Sequence, residues 1–157
     1  MSLPEIFNTG LNSNVWGTGA WTFLHSITLT YPNDPTDVDK KTYKRFFETI
    51  GYLLPCNQCS NHYNDYLKEN PIDDSVLENK LSFTKWLYNV HNNVNHILNK
   101  PKIDFDEFIN QYYDMYSNYH SKDNKIYNFI KNNILIIAII IVIVCGLLYK
   151  LYKNKCI

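Results

Sequence analysis

Ser82-Phe83-Thr84-Lys85-Trp86-Leu87-Tyr88-Asn89-Val90-His91-Asn92-Asn93-Val94-Asn95-His96-Ile97-Leu98-Asn99-Lys100-Pro101 reads as one helix with its own start and stop. Ser82 offers an N-cap oxygen, and Lys100-Pro101 ends the run because proline cannot continue it. His91 and Asn95 stand four apart and share a face; Asn92 and Asn95 stand three apart. Val94 and Leu98 line the neighbouring apolar stripe. A face of Trp, His and several Asn fills an apolar core poorly and suits a planar ligand with polar edges. The plainer reading is a solvated face in an Asn-rich chain.

The segments on either side have the same period. Trp21, Phe23, Leu24, Ile27 and Thr28 recur at helical spacing from near Thr18 to Thr30, where Tyr31-Pro32 stops them. Thr36 caps a second helix from about Val38 to Leu54, with Tyr43, Phe46, Phe47 and Ile50 on one side. A third helix opens at Cys56 and runs through Leu67 to Asn70-Pro71, and a short fifth runs from Asp104 or Asp106 through Tyr116. Glycine and proline are scarce, 5 and 6 in 157 residues, and no hairpin of alternating strands is readable. The expected fold is all-α: a four-helix bundle over residues 14–116 with the short fifth helix packed across it.

Cys56-Asn57-Gln58-Cys59 stands behind Pro55 at a helix start. This spacing brings two sulfurs within bonding reach, and the positive end of the helix favours a thiolate. Zinc needs two further ligands, for which His62, His91 and His96 are the candidates; 31 residues (positions 60 to 90) separate Cys59 from His91, against about 12 in a finger. Redox, zinc and inert-thiol readings all stay open on the residues alone. Trp21 and His25 lie one turn apart on the first helix, and Gly17 allows close backbone approach by a ligand. The plainer reading is a core Trp beside a satisfied His.

Charges balance at 15 against 15, which gives no basic nucleic-acid surface. The four cysteines, Cys56, Cys59, Cys145 and Cys156, are too few for the disulfide framework of a small secreted domain, and no cleavable secretory signal is readable. Ile134 through Tyr149 is uncharged and apolar in a chain whose mean hydropathy is −0.31. This block is expected to be a C-terminal transmembrane helix over 131–152, after an irregular 1–13, the bundle and a polar hinge at 117–130, and before a short tail at 153–157. Lysines flank it on both sides, so the positive-inside rule leaves the orientation open.

Taken together, Trp21-Thr22-Phe23-Leu24-His25, Cys56-x-x-Cys59-x-x-His62-Tyr63, and Trp86 through His91-Asn92-x-Val94-Asn95-x-x-Leu98-x-Lys100-Pro101 resemble the ERV/ALR family of FAD-linked sulfhydryl oxidases. The resemblance covers residues 10 to 113. It implies a helical bundle that cradles FAD, a homodimer, and oxidation of protein dithiols with oxygen reduced to hydrogen peroxide. It places Gly17, Trp21, His25, His91, Asn92, Val94, Asn95, Leu98 and Lys100 against the cofactor, with His62 close by. It sets Cys59 against the flavin ring and Cys56 toward the incoming thiol, supplied by a thioredoxin-like or other dithiol protein.

The departures are as informative. The family's second disulfide aligns with Tyr88 and Phe105, so packing is expected to replace a covalent staple. Thr18 stands where Arg is common and Leu54 where Tyr is common; the shuttle pair is missing, with Cys156 a lone candidate. The expected setting is a viral or host internal membrane. The competing readings are a zinc-stabilised, membrane-anchored adaptor and a degenerate scaffold without cofactor.

Overall fold

The computed structural model describes Pro4, Glu5 and residues 10–155, with backbone alone at 120–124, 135, 137, 139 and 153–155; Cys156 lies outside the described residues. Helix α1 spans Ser13–Leu29, and the Asn12 side chain caps it by accepting from Asn14 N–H at 2.9 Å. It begins five residues before Thr18, because the cap at Asn12 outweighs the low helix propensity of Gly17 and Gly19. Helix α2 spans Asp37–Ile50 and opens on a capping box: Thr36 Oγ1 accepts from Asp39 N–H, and the Asp39 carboxylate accepts from Thr36 N–H at 2.9 Å. The Thr36 hydroxyl, which donates to the Asp39 carboxylate at 2.6 Å, and then the Thr36 N–H hold that carboxyl below its usual range.

Helix α3 spans Asn57–Glu69 with Cys56 at its N-cap, and α4 spans Lys80–Ile97. Asn79, rather than Ser82, caps α4, its side-chain oxygen accepting from Ser82 N–H at 3.0 Å. Asn99, with φ of 52°, turns the chain after α4 into Lys100-Pro101.

Phe83 is the hub of the core. Its ring lies 4.9 Å from Tyr31, 5.1 Å from Phe47, 5.9 Å from Trp86 and 6.0 Å from Tyr43. Leu24, Tyr63, Ile72, Leu77, Leu87 and Val90 complete the buried cluster. Buried aromatics with a polar tip need a partner for it. Here they find main-chain carbonyls: Tyr31 Oη donates to Leu77 O at 3.0 Å, Tyr63 Oη to Phe47 O at 2.8 Å, and Trp86 Nε1 to Asn70 O at 3.1 Å. Thr84 Oγ1 donates to Thr28 O at 3.2 Å and so ties α4 to α1.

Tyr88 and Phe105 meet edge-on at 5.1 Å, which places the two positions side by side as a staple requires. Tyr88 Oη donates to Ile103 O at 2.7 Å, and the Asn92 amide both donates to Ile103 O and accepts from Ile103 N–H, each at 3.1 Å. A ring contact and three hydrogen bonds therefore fasten the segment after α4 to α4 itself.

The chain divides into two compact units, one ending at Phe105 and one beginning at Asp106. Among the described residues the second is all helix: α5 runs Phe105–Lys155 without a break. The short fifth helix ending near Tyr116 is thereby corrected, since residues 117–130 hold neither proline nor glycine and nothing there stops a helix. The transmembrane helix over 131–152 is corrected as well: among the described residues no helix is long and apolar enough to cross a membrane. The uncharged run Ile134 to Tyr149 has 16 residues, a rise of about 24 Å against a hydrocarbon core of about 30 Å. Lys131, Asn132 and Asn133 before it and Lys150 after it do not lengthen the apolar stretch.

Gly51 sets the approach of α2 to α3. A Cβ there would lie 2.7 Å from Tyr63 Cδ1 and would also strike Asn64 Oδ1. Gly51→Ala should destabilise the bundle by about 1–3 kcal/mol through overpacking; an unchanged urea midpoint would show that the contact yields freely.

Candidate functional site

Two features built by α1, α3 and α4 form the site. The first is a disulfide between Cys56 and Cys59, Cα atoms 5.2 Å apart, at the N-terminus of α3. Cys56 is the N-cap itself, in extended backbone, and its Sγ accepts from Cys59 N–H at 3.2 Å. Sulfur thus takes the place that a Ser or Asp oxygen usually holds, where unpaired N–H groups and the helix dipole favour negative charge. On the other side, Leu11 N–H donates to Pro55 O at 2.6 Å. Both cysteines are partly exposed.

The second feature is a ladder of three rings between α1 and α4. Trp21 and His91 stack at 4.0 Å with planes 8° apart. His25, fully buried, faces His91 with its Nε2 3.0 Å from His91 Nδ1. One ring nitrogen of that pair donates and the other accepts, which requires the accepting imidazole to be uncharged and the tautomers to match. Burial and the neighbouring His91 lower the His25 pKa to about 3; burial and then Lys100 lower that of His91 to about 4.

A cavity of about 420 Å³ opens beside α4, lined by Tyr66, Asn89, Asn92, Asn93, His96, Lys100 and Lys102. Tyr66 follows Cys59 by seven residues, so one face of α3 leads from the disulfide to the cavity over about 10 Å.

Of the residues singled out in the sequence, Trp21, His25 and His91 come together in the ladder, while Asn92 and Lys100 reach the cavity. The Asn92 amide is also committed to Ile103. Gly17 lies on α1, where an added Cβ would meet nothing within 4 Å, so backbone there is open to close approach. His62 is half-buried one turn beyond Cys59. Asn95 is buried, Val94 half-buried, and Leu98 exposed at the end of α4; none of the three is among the cavity's lining residues.

Sequence reasoning missed Asn89, Asn93 and Lys102, and considered His96 only as a zinc ligand. Their signal was present: Asn89, Asn92, Asn93 and His96 fall at i, i+3, i+4 and i+7, a polar stripe at core-like spacing, and Lys102 repeats Lys100 across Pro101. For the zinc reading, no group of three or more His, Cys, Asp or Glu side chains among the described residues is placed to hold a metal ion, and both CxxC sulfurs are joined to each other.

Flavin adenine dinucleotide has flat aromatic rings and a dianionic pyrophosphate. Stacked, uncharged rings suit the former, and a cavity edged by two lysines and several amides suits the latter. The residues present fit that cofactor.

The neutral pair should make the protein acid-sensitive. Each imidazole is less basic folded than unfolded, so the unfolded chain takes up protons first. The stability due to this pair is complete above pH 6.5 and declines as pH falls through about 4 for His91 and about 3 for His25. Urea midpoints followed through that window should fall, and His91→Phe, which keeps a ring against Trp21, should flatten part of the slope.

Comparison with known proteins gives one consistent answer. The model of the Erv1/Alr family matches residues 18–114. A probable FAD-linked sulfhydryl oxidase of Acanthamoeba polyphaga mimivirus is 39% identical over 94 residues, covering 60% of this chain and 66% of that protein. The mitochondrial FAD-linked sulfhydryl oxidase ERV1 of Saccharomyces cerevisiae is 36% identical over 88 residues, covering 56% and 45%. The chain thus spans less than two thirds of the length of either relative. Among solved structures, the yeast Erv1 core superimposes with a TM-score of 0.56 at 32% identity, over 66% of this chain and 80% of that one. The FAD-binding domain of Erv1 from Saccharomyces cerevisiae gives 0.56 at 34% identity, over 60% and 87%.

Proposed function

The chain belongs to the Erv1/Alr family, and on that premise we propose that it is an FAD-dependent thiol oxidase that makes disulfides in protein substrates and reduces oxygen to hydrogen peroxide. The observation that carries this reading is the Cys56–Cys59 disulfide at a helix N-terminus, on a helix face that leads to the lysine-edged cavity. Trp21, His25 and His91 would hold the planar part of the cofactor, and Asn92, Lys100 and Lys102 its charged part. Gly17, Val94, Asn95 and Leu98 complete the binding surface in this reading, with His62 close to the dithiol.

The protein's own chemistry is thiol–disulfide exchange. A substrate thiolate attacks Cys56 Sγ; a bond forms between those sulfurs, the Cys56–Cys59 bond breaks, and Cys59 leaves as thiolate. The second substrate thiolate then attacks the substrate sulfur of the mixed disulfide. Cys56 leaves as thiolate and the substrate departs oxidised by two electrons. Cys59 N–H, 3.2 Å from Cys56 Sγ, stabilises that leaving thiolate, as does the positive end of α3. Flavin, when bound, would supply the electron acceptor that lets Cys56 and Cys59 return to the disulfide, with oxygen as the final acceptor. The uncharged His25 and His91 act as hydrogen-bonding supports and take up no second ring proton at neutral pH.

A homodimer belongs to this reading. The Phe23–Phe46 pair, rings 6.4 Å apart on α1 and α2 with both residues exposed, supports it; sedimentation equilibrium returning only monomer would remove it.

Purified protein should be yellow and consume oxygen with dithiothreitol. Cys59→Ser should stop oxygen consumption essentially completely while the flavin stays bound. A folded protein that retains no flavin when supplemented with FAD would refute the oxidase.

A further inference from the structure

The turn between α2 and the disulfide presents Tyr52 at 78% and Leu53 at 72% exposure, consecutive large apolar side chains three and four residues before Cys56. A single exposed leucine means little. This pair differs because the backbone beneath it is fixed on several sides. Tyr52 N–H donates to Thr49 O at 3.0 Å and Leu53 N–H to Ile50 O at 2.9 Å. Ser60 Oγ, one residue beyond Cys59, donates to Gly51 O at 2.6 Å. Leu54, the next residue, turns inward and packs against the core. Rigid presentation of apolar groups lowers the ordering cost of a contact made there.

Two further observations point to the occupant. Leu11, 36% exposed, has its N–H on Pro55 O and so places another apolar residue beside the same segment. And positions 49 to 64, which hold the turn and the whole dithiol motif, contain no Asp, Glu, Lys or Arg. The segment around Cys56 thus brings no charged side chain of its own; the charge that reaches Tyr52 is Lys68 of α3, which is ion-paired with Asp65.

Resting on the oxidase reading, we infer that Tyr52, Leu53 and Leu11 form the docking surface for the dithiol substrate, and that its recognised form is an extended segment with aliphatic or aromatic residues flanking the reactive cysteine. Docking of those flanks holds the substrate sulfur beside Cys56 for the exchange already described. A small dithiol uses the same disulfide without touching the surface.

The test uses three reductants with the flavin-loaded full chain: dithiothreitol, a Cys-x-x-Cys peptide flanked by Leu and Phe, and the same peptide flanked by Ser and Gly. The wild type should show a KM for the apolar peptide lower by roughly tenfold or more than for the polar one, at similar kcat. Tyr52→Ser/Leu53→Ser should erase that preference, with dithiothreitol turnover and flavin content unchanged; the milder Leu53→Asn should reduce it part-way. Equal KM values for the two peptides in the wild type, or a preference that survives in the double variant, would overturn the proposal. Failure of the wild type to oxidise dithiothreitol would instead overturn the oxidase reading beneath it.

Discussion

Two imidazoles 3.0 Å apart, both held uncharged, clasp α1 to α4, and the rest of the site is arranged around them. The pair works only if one nitrogen gives a proton to the other's lone pair. Burial enforces that condition by keeping both groups well below their usual basicity. Trp21 then has a flat, neutral surface in His91 on which to stack, and α4 is fixed in rotation about its axis. That rotation decides where the stripe from Asn89 to His96 points, and therefore where the cavity lies. The core serves the same end from the other side, since Phe83 and Trp86 on α4 pack into the aromatic cluster and Thr84 bonds back to α1.

The helices and the dithiol were legible because their signals are local. Periodic apolar residues, Pro55 before the CxxC, and Lys100-Pro101 are read from neighbours in the chain alone. Helix starts were less legible: Asn12 and Asn79 cap α1 and α4, yet in an Asn-rich chain neither stands out from its surroundings. The role of Asn92 was hidden for another reason. Its amide binds the backbone of Ile103, eleven residues on, and no side-chain pattern announces a bond to main chain. Tyr88 and Phe105 were legible only by comparison with a family in which those positions pair.

The apolar C-terminal block misled in a different way. Its residue types are those of a membrane span, but the uncharged run is a turn or so too short, and α5 carries it as the continuation of a helix begun at Phe105. Composition gave the polarity of the segment; length and the absence of a breaker gave its context. Cys145 sits within that helix, exposed and unbonded, away in sequence from the exchange pair.

The aromatic clasp at Tyr88 and Phe105 separates two quantities that sulfur chemistry usually couples. Among the described residues the sole S–S bond closes a loop of only four residues, 56 to 59, and so short a loop contributes the smallest share of denatured-state entropy. In the proposed oxidase each turnover would open and reclose that bond, yet the bundle's conformational stability is carried by rings and carbonyls that a reductant leaves alone. The oxidation state of the chain is thereby free to cycle while the architecture around it stays fixed.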